Sequence, residues 1–144
     1  MNILQSVYMK VELYPDVHRW LTRVEEFDLD VYAEIIALID ALQSFGRELA
    51  DPESHPAVTS RFDMHALRRT SPNATAPYAE GPPVIRVLYA FCRRASGEPV
   101  AVVLIGGDKT YLGNRWYPPN IVEAERRLLI YAGQHHLTPL DRKH

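Results

Sequence analysis

Apolar and polar residues alternate at the start of the chain. Residues 6–13 (SVYMKVEL) are rich in strand formers, and the pattern predicts a first strand. The period then lengthens. Val17, Trp20, Leu21 and Val24 recur three or four positions apart behind Tyr14-Pro15-Asp16, which predicts a helix with Pro15 in its first turn. After a break at Phe27-Asp28, Val31, Ile35, Leu38, Ile39, Leu42 and Phe45 continue the helical spacing. Asp28 or Asp30 is placed to cap this second helix, and Gly46 to stop it. Residues 50–57, with Pro52 and Pro56, read as a loop.

The second half changes character. Residues 58–69 (VTSRFDMHALRR) predict a strand with alternating faces, and the proline-rich stretch 70–83 predicts a long loop. Val84 to Phe91 and Val100 to Ile105 are strong strand candidates. Ser96-Gly97 marks a hairpin between them, and Gly106-Gly107 is expected to end the second. A polar-aromatic loop over 108–117 leads through Pro118-Pro119 into a final helix. Ile121, Leu128, Leu129 and the body of Tyr131 are its expected contacts, Gly133 its expected end, and 134–144 a mobile tail. Strand, two helices, three strands, helix is the order of an α+β domain, here one domain over 1–144.

Composition narrows the class. The longest apolar runs, such as Val100 to Ile105, are too short to span a bilayer. The first ten residues lack a basic start followed by an apolar stretch, and Cys92, the only cysteine, cannot form an internal disulfide. A cytoplasmic location with no membrane association is therefore expected. The net charge of −2 hides an asymmetry. Residues 1–60 carry four Lys/Arg against eleven Asp/Glu, whereas residues 61–144 carry twelve against seven. The halves thus stand at −7 and +5, and the basic half can present a phosphate-attracting face.

The most specific stretch is Val84 to Tyr117. It holds Ile85-Arg86-Val87-Leu88-Tyr89-Ala90-Phe91, then Gly106-Gly107-Asp108-Lys109-Thr110, then Arg115-Trp116-Tyr117. In combination these pieces resemble the RelE/HigB toxin family, in particular its phage-derived HigB-like branch, and a weaker similarity reaches back to the first helix. Met64-His65-Ala66-Leu67-Arg68 stands where that branch often has M-K-E-L-R, with His65 and Ala66 as departures. The resemblance implies a RelE/ParE-like fold, with two N-terminal helices and a C-terminal helix around a small, mainly antiparallel sheet. It also implies a toxin that cuts messenger RNA on the ribosome without metal or other cofactor. A HigA-like helix-turn-helix antitoxin would be its partner, and operator DNA would be reached only through that complex. ParE-like relatives, which bind gyrase, and inactive relatives are the alternatives.

Cleavage by attack of the 2′-hydroxyl requires a base, cations around the phosphate and an acid for the leaving oxygen. Arg86 lies mid-strand, opposite in direction to Ile85, Val87 and Tyr89; it is read as a phosphate clamp or as an ion-pair partner of a helix acid. Lys109 is expected at the scissile phosphate, and Asp108 either orients it or forms the turn. Tyr117 can stack a base or deliver a proton, Tyr111 and Arg115 can interleave stacking with charge, and Trp116 is read as core. His65 is the candidate acid–base residue, expected among Arg68, Arg69 and Arg86, with Arg68 and Arg69 on RNA phosphates. His135-His136 lacks companions at ligand spacing, so no metal site is expected. Cys92 beside Arg93-Arg94 lacks the partners of a nucleophile.

Overall fold

The computed structural model describes residues 8–68 and 84–143. The order is β1 (Lys10–Leu13), α1 (Pro15–Phe27), α2 (Leu29–Phe45), β2 (Ser54–Pro56), β3 (Met64–Arg68), β4 (Ile85–Arg94), β5 (Pro99–Asp108), α3 (Tyr117–His135) and β6 (Leu137–Pro139). Short 3-10 turns at Gly46–Glu48 and Gly113–Trp116 follow α2 and precede α3. The fold is α+β, with the sheet order β1-β5-β4-β3-β2 and β6 paired to β4. The sheet is mixed, because β1 runs parallel to β5 while the other pairs are antiparallel.

Helices cover both faces, and the alternation of β4 and β5 sorts their residues between two layers. Val87, Tyr89 and Phe91 of β4 join Ala101 and Val103 of β5 under Val17, Leu21, Val31, Ile35, Leu38 and Leu42 of α1 and α2. Leu88, Ala90 and Cys92 join Val100, Val102 and Leu104 against Ile121, Ala124, Leu128 and Tyr131 of α3. A strand buried on both sides has no polar positions to spare, which explains the near-continuous apolar runs of β4 and β5. The helix signals act locally as their chemistry dictates. Pro15 occupies the first turn of α1, the Asp28 carboxylate accepts the Val31 N–H at 3.1 Å, and Gly46 closes α2 at φ 56°.

Several expectations are corrected. The first strand begins only at Lys10, and its residues 6–7 lie outside the described residues, as does the loop 70–83. The proline-containing stretch 50–57 holds the edge strand β2, whose Pro56 lies at its end, where a missing N–H is tolerated. The strand expected over 58–69 is confined to Met64–Arg68, behind turns. Phe45 and Leu129 face solvent. Gly133 does not end α3, which runs to His135 and stops where His136 turns left-handed at φ 55°. The stretch beyond it is a sheet strand. Leu137–Pro139 pairs with Cys92–Arg94, Leu137 is buried, and Leu140 and Asp63 exchange backbone contacts with that edge.

Gly106-Gly107 also fails to end β5; both lie inside it. An added Cβ on Gly106 would stand 2.3 Å from the Trp20 ring, and one on Gly107 would stand 2.9 Å from the Trp116 Nε1. The pair is there because one indole lies against the strand from α1 and another from the entrance of α3.

Polar contacts fasten α3 to the far edge of the sheet. The Tyr131 hydroxyl donates to Glu12 of β1 at 2.6 Å, and Arg94 of β4 ion-pairs with the same carboxylate. Burial alone would raise the Glu12 pKa, but the hydrogen bonds from Tyr131 and Arg94 outweigh it and hold the carboxyl below its ordinary value.

Two predictions follow from the packing. Gly106→Ala should lower stability by about 1–3 kcal/mol in denaturant unfolding and shift the Trp20 fluorescence, and Trp20→Ala should relieve most of that loss. Because the folded-state pKa of Glu12 is depressed, its contribution is present above the ordinary carboxyl range and is lost as pH falls through the folded value. Urea midpoints measured against pH should therefore fall less steeply on the acid side for Glu12→Gln, which starts from a lower stability at neutral pH.

Candidate active site

One cavity of about 550 Å³ opens between the β2–β3 edge, the α3 side of the sheet and the start of α3. Arg68, Arg86, Lys109 and Tyr117 line it, with Ala66 two residues before Arg68 on β3. Arg68 and Arg86 stand directly opposite each other on β3 and β4. Like charges at opposite ladder positions oppose folding. Arg68 is relieved by an ion pair with Asp51. Arg86 is not: its Nε donates to the Tyr117 hydroxyl at 3.0 Å and its Nη1 to the Ile85 carbonyl at 2.8 Å. Among the described residues it meets no carboxylate.

Lys109 is brought in by a pinned turn. The Asp108 carboxylate accepts the N–H groups of Val84 (3.1 Å) and Thr110 (2.9 Å) and the Thr110 hydroxyl. The Lys109 N–H bonds the Val84 carbonyl at 2.9 Å. Its ammonium donates to Asn114 Oδ1 at 3.0 Å and sits 5.2 Å from the Tyr117 ring centre. Burial, then the charges of Arg86 and Arg68, pulls the Lys109 pKa below that of an ordinary lysine. Tyr117 is set by Trp116, whose buried ring packs edge-on to it at 5.3 Å and rests against Gly107. The result is three cations and a phenol around a void, an arrangement that can hold a phosphate and a base beside it.

The other expected site residues lie elsewhere. His65 is on the opposite face of the sheet, where it stacks on Tyr89 (centroids 5.5 Å apart) and meets Phe91 edge-on (5.4 Å). Its Nε2 is 2.7 Å from Asp63 Oδ1, and Arg47 ion-pairs the other oxygen at 2.7 Å. The reason is strand parity. Met64, Ala66 and Arg68 share one face of β3, so His65 must point to the other. Asp108 serves the turn rather than Lys109. Tyr111 is almost fully exposed, and neither it nor Arg115 lines the cavity. Arg69 lies outside the described residues. Cys92 is buried, which with the nearby Glu12 carboxylate pushes its thiol up to about 12. His135 stacks on Tyr131 at 4.0 Å.

Two lining residues escape a reading of the sequence. Asn114 sits in a stretch without periodicity. His55, exposed on β2, has Nδ1 3.2 Å from both carboxylate oxygens of Asp51. Its position in a proline-flanked segment hid it, and only the pairing of β2 with β3 brings it to the cavity.

Among curated proteins, one described as "Putative toxin HigB3", from Mycobacterium tuberculosis, is 31% identical over 130 residues, which are 89% of this chain and 97% of that protein. The chain belongs to the HigB-like toxins of toxin–antitoxin systems. No family model matches this HigB-like toxin. No solved structure matches it. No helix among its described residues is long and apolar enough to cross a membrane.

In the HigB-like toxin, Arg86→Ala should move the Lys109 pKa upward, because a neighbouring positive charge is removed. A side-chain NMR titration of Lys109 reads this directly. An unmoved pKa would leave burial and Arg68 as the causes.

Proposed function

We propose that this HigB-like toxin is a ribosome-dependent endoribonuclease that cuts messenger RNA by attack of the 2′-hydroxyl on the adjacent phosphate, and so inhibits translation. The observation that carries the reading is the convergence of Arg68, Arg86 and Lys109 on one cavity, with Arg68 and Arg86 opposed in the ladder and, among the described residues, no carboxylate on Arg86. Such an arrangement disfavours the empty state and gains on receiving an anion.

In this mechanism the bidentate guanidinium of Arg86 grips the non-bridging oxygens of the scissile phosphate, and the Lys109 ammonium offsets charge that develops there. Donors aimed at developing charge are worth roughly 10²–10³-fold each in such chemistry. Arg68 binds the neighbouring phosphate. Tyr117, with its hydroxyl tied to Arg86 and its face toward Lys109, stacks a base beside the cut. The ribosome supplies the extended messenger, and no cofactor takes part. A HigA-like helix-turn-helix antitoxin holds the toxin silent in the cytoplasm, and operator DNA is met only through their complex. Membership of a toxin–antitoxin family supports the partner.

Inducing the chain alone and mapping transcript 5′ ends tests the reading. Growth arrest with new ends inside translated messages is expected. Arg86→Ala or Lys109→Ala should abolish both while the thermal midpoint stays near wild type, since neither side chain belongs to the apolar core. Arrest with intact messages and altered DNA supercoiling would replace the reading with a gyrase-directed one. Full toxicity from folded variants would remove these residues from the mechanism.

A further inference from the structure

The cationic cluster leaves one titratable side chain of the cavity without a task. His55 stands on the edge strand β2, opposite Ala66, and lines the same void as Arg68, Arg86, Lys109 and Tyr117. Its Nδ1 faces the Asp51 carboxylate, 3.2 Å from each oxygen. Asp51 is itself anchored by Arg68, which also donates from Nε to the Pro52 carbonyl at 3.3 Å. A carboxylate on Nδ1 selects the tautomer whose proton sits there, and so leaves the Nε2 lone pair as an acceptor. Among the described residues Nε2 has no hydrogen-bond partner. The arginines of this wall offer donors alone and the Lys109 ammonium is engaged with Asn114, so His55 is the side chain with a free lone pair to accept a proton.

Resting on the RNA-cleavage reading above, we infer that His55 is the general base of the reaction. Its Nε2 takes the proton of the 2′-hydroxyl next to the scissile phosphate. The 2′-oxygen forms a bond to phosphorus, the bond from phosphorus to the 5′-oxygen breaks, and the electron pair leaves on that oxygen, which takes a proton from solvent water. The hydroxide so formed recovers the proton held by His55. The products are a 2′,3′-cyclic phosphate and a 5′-hydroxyl. His65, walled off on the far face, has no part in it.

Purified toxin acting on ribosomes programmed with a defined message tests this. His55→Ala should cut the single-turnover cleavage rate by about 10²–10³-fold, within the span of general acid–base help, with affinity for the programmed ribosome held within about twofold. Added imidazole should restore cleavage by His55→Ala and leave Lys109→Ala inactive. His55→Gln, which can still hydrogen-bond Asp51, should be as slow as His55→Ala. Because His55 is exposed on an edge strand, both variants should keep the wild-type thermal midpoint. Wild-type rates in either variant, or a slow His55→Ala that imidazole does not restore, would overturn the assignment of His55 alone. A wild-type toxin that leaves the programmed message intact would overturn the cleavage reading, and His55 with it.

Discussion

The rule that a strand's side chains alternate governs this molecule. β4 and β5 are buried on both sides, so every residue on them is committed to one of two layers, with no solvent-facing position along the middle. The two strands send buried apolar side chains to both layers, for example Leu88, Val102 and Leu104 toward α3 and Val87, Tyr89 and Val103 toward α1 and α2. A charge placed there must be steered to an opening. Arg86 is steered to the gap beyond the start of α3, where Tyr117 meets it. The site is thus the place where the sheet's own burial runs out.

Backbone and aromatic packing supply the precision that loose cations lack. Gly107 gives Trp116 room to lie on the strand, Trp116 fixes Tyr117 edge-on, and Tyr117 holds Arg86. Asp108 pins the turn that carries Lys109. The repulsion within the cluster is visible in the lowered pKa of Lys109, to which burial contributes first and Arg86 next. Stability is therefore traded for a surface that attracts negative charge, a pattern common where groups are held ready for a ligand.

Much of this was legible in the residues. The heptad-like apolar spacing of both N-terminal helices, the Asp28 cap and the two long strands follow from local chemistry that tertiary context did not override. What was illegible depended on partners distant in sequence. Nothing local says that Lys10–Leu13 runs parallel to β5, or that Ser54–Pro56 and Leu137–Pro139 become strands, since each is short and stabilised by a neighbour's unpaired edge. Gly106-Gly107 looked like a stop because two indoles that require small residues come from elsewhere in the chain. Of the site, Arg86, Lys109 and Tyr117 stood out through their motifs. His65 was misplaced although parity was available: it is three residues from Arg68 on one strand, so the two must part company. His55 had no signal of its own, because its segment reads as a turn until β3 lies beside it.

β6 carries one more consequence. Along one edge β4 is covered by β5, and along the other first by β3, over Arg86–Ala90, and then by β6, over Cys92–Arg94. The two short strands are laid end to end, so over Arg86–Ala90 and Cys92–Arg94 the backbone of β4 is not left open as a template on which another molecule could add itself. A segment with few apolar residues of its own thereby closes a stretch of edge that β3 is too short to reach, one place fewer where sheets of separate molecules could join.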